Sequence, residues 1–470
     1  MGNSRKPSSG ELPERVAAAL APAVAPGANL VVALSGGLDS TVLLTVLAEL
    51  SARLRFSLRA LHVNHGISPN AGRWAEFCAA QCGRMSIPLQ TEKVDITPHR
   101  ALGLEGAARK ARYEVFARVD ADFVVLAQHR DDQAETLLLR LLRGAGLRGL
   151  AAMASLRPHA GARAKLVRPL LDVSRAEIEA YARDLELEWI EDESNDDTAR
   201  ARNFLRHEAL PLLERQFPAA RAAIARAAAN LGEARELVDT MAQGDLAACG
   251  DGEGVGVSAL LALGEARAKN ALRYWCESLG IDPLSSSRLG ELLRQLRESR
   301  ADARTSLVAG EWELQRYRDR LHLDPVLSAL GNDLNEEWKG ENALPLLALG
   351  GVLKFKPEEG RGLSVHKLRS ARVTVRLRKG GERLRLDHRR PRRTLKNLFQ
   401  ERGVPPWRRD RLPLVYCGES LVSVPGVGDA CEFRAAPGEA GLIVTWEPLG
   451  ETLEAAARGL RPRASGRERV

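Results

Sequence analysis

The sequence predicts an α/β protein: a first domain on a parallel, Rossmann-like sheet, then a helical domain, then a small α+β domain. Three observations predict it. Strand-like and helix-like segments alternate over the first 215 residues, as a parallel sheet with helical crossovers requires. A small-residue loop, Ser35-Gly36-Gly37-Leu38-Asp39-Ser40, stands between an apolar run and a helix start. From about residue 219 the pattern changes to alanine-rich helical spacing, and later to short β-like runs between Gly and Pro turns.

Residues 1–27 read as an extension with a first helix. Strands are predicted at 30–34, 58–63, 89–94 and 123–127, and helices at 39–52, 73–85, 104–119 and 131–142. The first domain spans 28–215 and ends where Pro211 and Pro218 flank a change in character. Residues 219–325 read as helical, with amphipathic stretches at 219–244, 267–279 and 286–297. Residues 326–370 are weakly patterned and read as a connector with a few short strands. Residues 371–448 carry β-like runs, and 449–470 form an Arg- and Ala-rich tail predicted to fray.

The loop at 35–40 has the chemistry of a phosphate cradle. Gly36 and Gly37 let backbone approach an anion closely, and the N–H groups of a helix start point at it. Ser35 and Ser40 add hydroxyls. Asp39 is out of place beside phosphate unless a cation intervenes, and so implies Mg²⁺. The lysine of GxxxxGK[ST] is missing, so the loop is not built for a γ-phosphate. SGGxDS after a strand resembles the pyrophosphate-binding loop of the PP-loop family of ATP-dependent adenylating enzymes. Those enzymes split ATP between its α and β phosphates.

The net charge is +8 and the pI about 9.3. Between Arg372 and Arg411 there are fifteen Arg or Lys against four Asp or Glu, so the excess belongs to one region. Its densest part is Arg389-Arg390-Pro391-Arg392-Arg393 with Lys396, near Trp407 and Arg408. That pattern favours a polyanionic partner over a merely solvated face. The six cysteines have neither zinc-ribbon nor disulfide spacing, so reduced thiols in a cytosol are expected. No apolar run is long enough for a membrane span, and the 17–34 run is broken by Pro22 and Pro26. Lys6 stands where myristoylation needs Ser or Thr.

Three further segments fall at strand ends or on nearby helices. The first is Leu61-His62-Val63-Asn64-His65-Gly66, in which either histidine alone reads as an ordinary polar residue. In Glu105-Gly-Ala-Ala-Arg109-Lys-Ala-Arg112-Tyr113, Glu105 and Arg109 share a helix face. In Gln128-His-Arg-Asp131-Asp132-Gln-Ala-Glu135, Asp131 and Glu135 share another. The acids there suit either a binding site or simple dipole pairing.

SGGLDS, VNHG, EGAARKARY and HRDDQAETLLLRLLRGAGLRGLAAM, in this order, resemble the tRNA(Ile)-lysidine synthase family. So do Arg168-Pro-Leu-Leu171, Asp192-Glu-Ser-Asn195, Arg202-Asn-Phe-Leu-Arg206 and, further on, Val404-Pro-Pro-Trp407-Arg408. The blocks match the long, three-domain form, and Arg130 departs from the more neutral residue expected there. The resemblance implies that ATP adenylates the C2 oxygen of cytidine 34 in a CAU-anticodon tRNA(Ile), and that L-lysine then attacks C2. It implies ATP on Ser35, Gly36, Gly37, Leu38, Asp39 and Ser40, with Mg²⁺ on Asp39. Lysine is expected among Arg109, Arg112, Asp131, Asp132 and Glu135, with Asp39, Arg109, Asp132 and Glu135 as the catalytic set. The tRNA is expected on Asn195, Arg202, Arg206, Arg389, Arg390, Arg392, Arg393, Lys396, Trp407 and Arg408. A cytoplasmic location follows, with monomer and homodimer both open. Three alternatives stand beside it: a 2-thiocytidine synthetase, which needs cysteine chemistry; GMP or NAD synthetases, which share SGGxDS but not the C-terminal blocks; and a catalytically dead tRNA-binding protein.

Overall fold

The computed structural model describes residues 11–159, 162–192, 197–250, 254–281, 284–299, 305–310, 312–326 and 334–448. The chain forms two compact units, 1–238 and 239–470. The first contains α1 (Glu11–Leu20), β1 (Asn29–Ala33), α2 (Leu38–Leu54), β2 (Ser57–Asn64), α3 (Ala71–Arg84), β3 (Leu89–Lys93), α4 (Gly103–Arg118) and β4 (Phe123–Val125). It continues through α5 (Arg130–Leu142), α6 (Leu147–Leu150), β5 (Leu156–Arg157), β6 (Lys165–Val167), α7 (Arg175–Asp184), α8 (Ala201–Phe204) and α9 (Leu210–Gln216). The unit boundary falls within α10 (Ala220–Cys249).

The sheet order is β3-β2-β1-β4-β6-β5, and only β5 is antiparallel. Successive β1 residues face opposite layers. Leu30 and Val32 pack with Val16 and Leu20 of α1, Leu43 and Leu47 of α2, and Ile178 of α7. Val31 packs with Val115 and Phe116 of α4. Burial on both faces is why the β1 sequence is a continuous apolar run. The helix in the N-terminal extension is therefore part of this core. Strand order reverses between β1 and β4, where a doubly wound sheet opens a crevice at its carboxyl ends. The loops 34–37 and 126–129 both lead into it.

A π-helical turn, Leu205–Ala209, joins α8 to α9. Pro211 lies just beyond it. A proline lacks the N–H that would bond four residues back and its ring crowds that carbonyl, which accounts for the widened turn.

In the second unit, β7 (Val255–Gly256), α11 (Val257–Ala262), α12 (Glu265–Ser278) and α13 (Ser286–Glu298) precede β8 (Ser306–Ala309), β9 (Trp312–Tyr317) and β10 (Arg320–Pro325). The region expected to be helical to 325 thus ends in an antiparallel sheet, β7-β10-β9-β8. Leu314, Leu321 and Leu323 bury one face of it against Leu289, Leu292 and Leu293 of α13. Arg318 takes the left-handed conformation (φ 56°) in the two-residue turn between β9 and β10. Buried Arg316 interrupts the strand's apolar alternation, and its guanidinium donates to the Leu296 carbonyl near the end of α13.

The remainder holds β11 (Asn335–Glu337), β12 (Ala343–Leu346), β13 (Gly351–Pro357), β14 (Leu363–Ser364), α14 (Val365–Leu368), β15 (Val373–Arg376), β16 (Arg383–Leu384), β17 (Arg393–Thr394), α15 (Leu395–Glu401) and α16 (Pro406–Arg409). The last strands are β18 (Leu414–Cys417), β19 (Ser420–Val424), β20 (Gly428–Asp429) and β21 (Gly441–Pro448). Sheets of order β11-β15-β18-β19-β20 and β12-β13-β21-β14 share one apolar core. Described residues of the expected connector therefore pair with the C-terminal strands: β13 lies along β21 over seven positions.

Candidate active site

The loop after β1 is held from several sides. Gly36 has φ +85°, and a Cβ there would stand 2.8 Å from Ile190 Cδ1 and 3.2 Å from Cys78 Sγ. Only glycine fits. The Gly36 carbonyl accepts from the Ile190 N–H at 2.9 Å and from Thr41 Oγ1 at 3.3 Å. His62 Nδ1 donates to the Leu34 carbonyl at 2.9 Å, so this histidine braces the loop. Ser40 Oγ donates to the Gly37 carbonyl and lies 3.0 Å from Ser35 Oγ. Leu38 turns its side chain into the core, leaving only its backbone to face a ligand. Gly37 is the N-cap of α2 and supplies no side-chain cap. The first N–H groups of a 17-residue helix thus point out of the loop with its dipole behind them.

Asp39 sits in the first turn of α2. Arg175 Nη1 lies 2.5 Å from Asp39 Oδ2, and His129 Nε2 lies 3.7 Å from the same oxygen. Asp39 Oδ1 is buried and has no hydrogen-bond partner. A bare, buried carboxylate oxygen beside a phosphate cradle is the donor a hard cation takes, so Asp39 fits Mg²⁺. Among the described residues no cluster of three or more His, Cys, Asp or Glu is arranged for a metal. One carboxylate suffices for Mg²⁺ when phosphates supply other ligands.

The α5 start brings the acidic block to the same crevice. His129 is its N-cap: Nδ1 accepts from the Asp131 N–H, and Asp132 Oδ2 accepts from the His129 N–H. Asp131 Oδ2 accepts the Arg175 N–H at 3.3 Å. Glu135 is completely buried, and its carboxylate is held by Arg202 Nε and Arg206 Nε, each at 2.7 Å. The same arginines reach Asp132 Oδ1 at 3.1 and 3.2 Å. Burial acts to raise the Asp132 carboxyl, but His129, Arg202 and Arg206 outweigh it and hold it below the usual carboxylate range. Asp39 in turn adds to the field that stabilises the Arg206 charge, which ties this cluster electrostatically to the phosphate loop.

Arg109 and Arg112 on α4 are exposed. Arg109 donates to the Tyr113 hydroxyl at 3.3 Å and lies over its ring. Burial disfavours the Tyr113 phenolate, yet Arg109 and Arg168 outweigh it, and its pKa falls. Burial, aided by Arg112 and His62, pushes His65 down to about 4, so it is neutral near pH 7. Burial with Cys82 pushes Cys78 up to about 12, which makes it a packing thiol.

The residues expected to bind tRNA fall into three sets. Arg202 and Arg206 make the ion pairs just described. Arg389, Arg390, Arg392 and Lys396 are exposed, and Arg393 pairs with Glu401. Trp407 Nε1 and Arg408 Nε donate to Asp324 at 2.9 and 2.6 Å, binding α16 to β10. Asn195 lies outside the described residues. Sequence reasoning missed Arg175 and His129 as parts of the site. The Ser174-x-x-Glu177 capping box marks where α7 begins, but nothing local links Arg175 to Asp39.

Family models match three stretches: a PP-loop domain over 11–213, a TilS substrate binding domain over 257–322 and a TilS substrate C-terminal domain over 373–446. The tRNA(Ile)-lysidine synthase of Nitrosomonas europaea is 42% identical over 426 residues, 90% of this chain and 93% of the relative. This chain belongs to the tRNA(Ile)-lysidine synthase family. The synthase of the same name from Aromatoleum aromaticum is 44% identical, covering 91% of this chain and 99% of its own length. That from Azoarcus sp. is 41% identical, covering 91% and 94%. Lysidine synthases are PP-loop enzymes, and the loop at 35–40 lies inside the matched PP-loop domain, where ATP is used. Among the described residues no helix is long and apolar enough to cross a membrane.

Proposed function

We propose that the chain joins L-lysine to C2 of cytidine 34 in a CAU-anticodon tRNA(Ile), consuming ATP and releasing AMP and pyrophosphate, in the cytoplasm. One observation carries this reading: the phosphate loop, Asp39, the α5 carboxylates and a set of arginines converge on one crevice at the sheet's switch point. In the first step the cytidine O2 attacks the α-phosphorus and pyrophosphate leaves. The α2 N–H groups and the loop hydroxyls receive the phosphates. Mg²⁺, when bound on Asp39, offsets the charge of the departing pyrophosphate. The C2 oxygen is a weak nucleophile, so rigid placement supplies much of the rate. The close bracing of the loop by His62, Thr41 and Ile190 serves that.

In the second step the ε-amine of lysine attacks C2 and AMP leaves. The amine is protonated at pH 7 and needs a carboxylate to hold and deprotonate it. Asp132 and Glu135 face the guanidiniums of Arg202 and Arg206, whereas Asp131 keeps one buried oxygen without a partner, which leaves its charge for an ammonium. Arg109 and Arg112, exposed on α4, take the lysine carboxylate or a phosphate. Arg389, Arg390, Arg392 and Lys396 contact tRNA phosphates. Cysteine chemistry of the thiolating kind has no support at Cys78, a buried and protonated thiol. The adenylation step is tested by ATP–pyrophosphate exchange. Exchange that requires CAU tRNA is expected; exchange that tRNA leaves unchanged contradicts the cytidine as the activated group.

A further inference from the structure

We propose that Arg175 positions Asp39 for magnesium: it takes one carboxylate oxygen and leaves the other, Asp39 Oδ1, as the ligand. The inference rests on Asp39 as the Mg²⁺ anchor and adds the residue that makes it one.

An aspartate in the first turn of a helix ordinarily folds back toward that helix's free N–H groups. At Asp39 this would place a carboxylate on the donors the phosphates need. Arg175 prevents it by gripping Oδ2 at 2.5 Å from a separate helix. Oδ1 is then the bare, buried oxygen described above. A metal-bound carboxylate is itself normally held by a hydrogen bond at its other oxygen, and this pair has that form.

Arg175 is held firmly enough to do this. It is the first residue of α7, whose N-cap Ser174 and Glu177 form a reciprocal capping box. Glu177 is gripped by Arg15 at 2.6 Å and approached by Arg130 at 3.5 Å. The Arg130 N–H donates to the Val173 carbonyl at 2.8 Å, which ties the start of α5 to the turn before α7. The Arg175 backbone N–H meanwhile holds Asp131 Oδ2, and Asp131 Oδ1 is likewise buried and bare. One residue therefore fixes two carboxylates from two different elements, each with one oxygen engaged and one open. The guanidinium holds Asp39 through a single Nη1–Oδ2 contact, and the backbone N–H holds Asp131.

The test is Mn²⁺ binding followed by electron paramagnetic resonance, with the full chain and an α,β-methylene ATP analogue. Arg175→Gln is expected to weaken Mn²⁺ about tenfold. In turnover it should raise the Mg²⁺ needed for half-maximal rate by a similar factor, with kcat at saturating Mg²⁺ within about twofold. Arg175→Lys keeps the charge but changes the reach and hydration of the donor, and should weaken Mn²⁺ about threefold. Should Arg175→Gln not fold, Arg175→Lys decides alone. Wild-type Mn²⁺ affinity in the folded Arg175 variants, with the site lost in Asp39→Asn, overturns the proposal and leaves the Mg²⁺ reading standing. Wild-type affinity in Asp39→Asn overturns both.

Discussion

In the proposed site Asp39 is a carboxylate in the first turn of α2, beside the groups proposed to receive phosphates, and a cation is the partner proposed for its charge. Asp39→Asn keeps the shape and removes the charge. Pyrophosphate exchange should fall by about 10²- to 10³-fold, the usual loss on removing one group that stabilises a transition-state charge. The fold should hardly change, because the Arg175 pair is part-exposed and such pairs contribute about 1 kcal/mol or less. Exchange assays and thermal melting of the same preparation check both halves. Asp132 gives a second prediction. Its folded pKa is depressed, so its contribution is complete above the unfolded value of about 4 and is lost as pH falls through the folded value. Urea denaturation from pH 3 to 7 should show a shallower acid-side loss in Asp132→Asn than in wild type. The loop geometry at Ser35–Ser40, a strand running through glycines into a helix start, was legible because glycine and helix-start chemistry are local. The partners of Glu135 were not: Arg202 and Arg206 lie 67 and 71 residues away, and as isolated basic residues they read as contacts for RNA.

Helix α2 joins the phosphate loop to the core, and Leu47 on it is fully buried among α1, β1 and α7. Leu47→Ala should cost about 2–5 kcal/mol in urea denaturation, with the loop residues untouched. Elements of this kind were readable because β1 is apolar on both faces and α2 repeats its apolar residues at helical spacing. Strand β9 was not, since the buried Arg316 interrupts its apolar alternation, and only the distant end of α13 explains that residue. The strands of residues 335–368 are short and weakly patterned for a related reason. β12 pairs locally with β13, but β11, β14 and the other edge of β13 pair with β15 and β21 farther along the chain, and that pairing left little trace in local sequence.

Across the whole chain the positive charge is concentrated between Arg372 and Arg411, and the rest is slightly acidic. If that region grips tRNA by phosphates, affinity must fall steeply with salt. Replacing Arg389, Arg390 and Arg392 with alanine should weaken tRNA binding and reduce the slope of log K against log salt by about 2 to 3. Filter binding at several salt concentrations reads this, and an unchanged slope contradicts it. The three-part order of domains was legible from changes in pattern, whereas the joining of residues 334–370 to the C-terminal sheets needed long-range pairing. The central claim is that this chain transfers lysine to an isoleucine tRNA. Its most direct measurement is the incorporation of labelled L-lysine by the purified protein with ATP, Mg²⁺ and a CAU-anticodon tRNA(Ile) transcript. Label is expected at cytidine 34 and none when that base is uridine; label that never enters a tRNA accepted by an active control synthase would contradict lysine transfer by this chain.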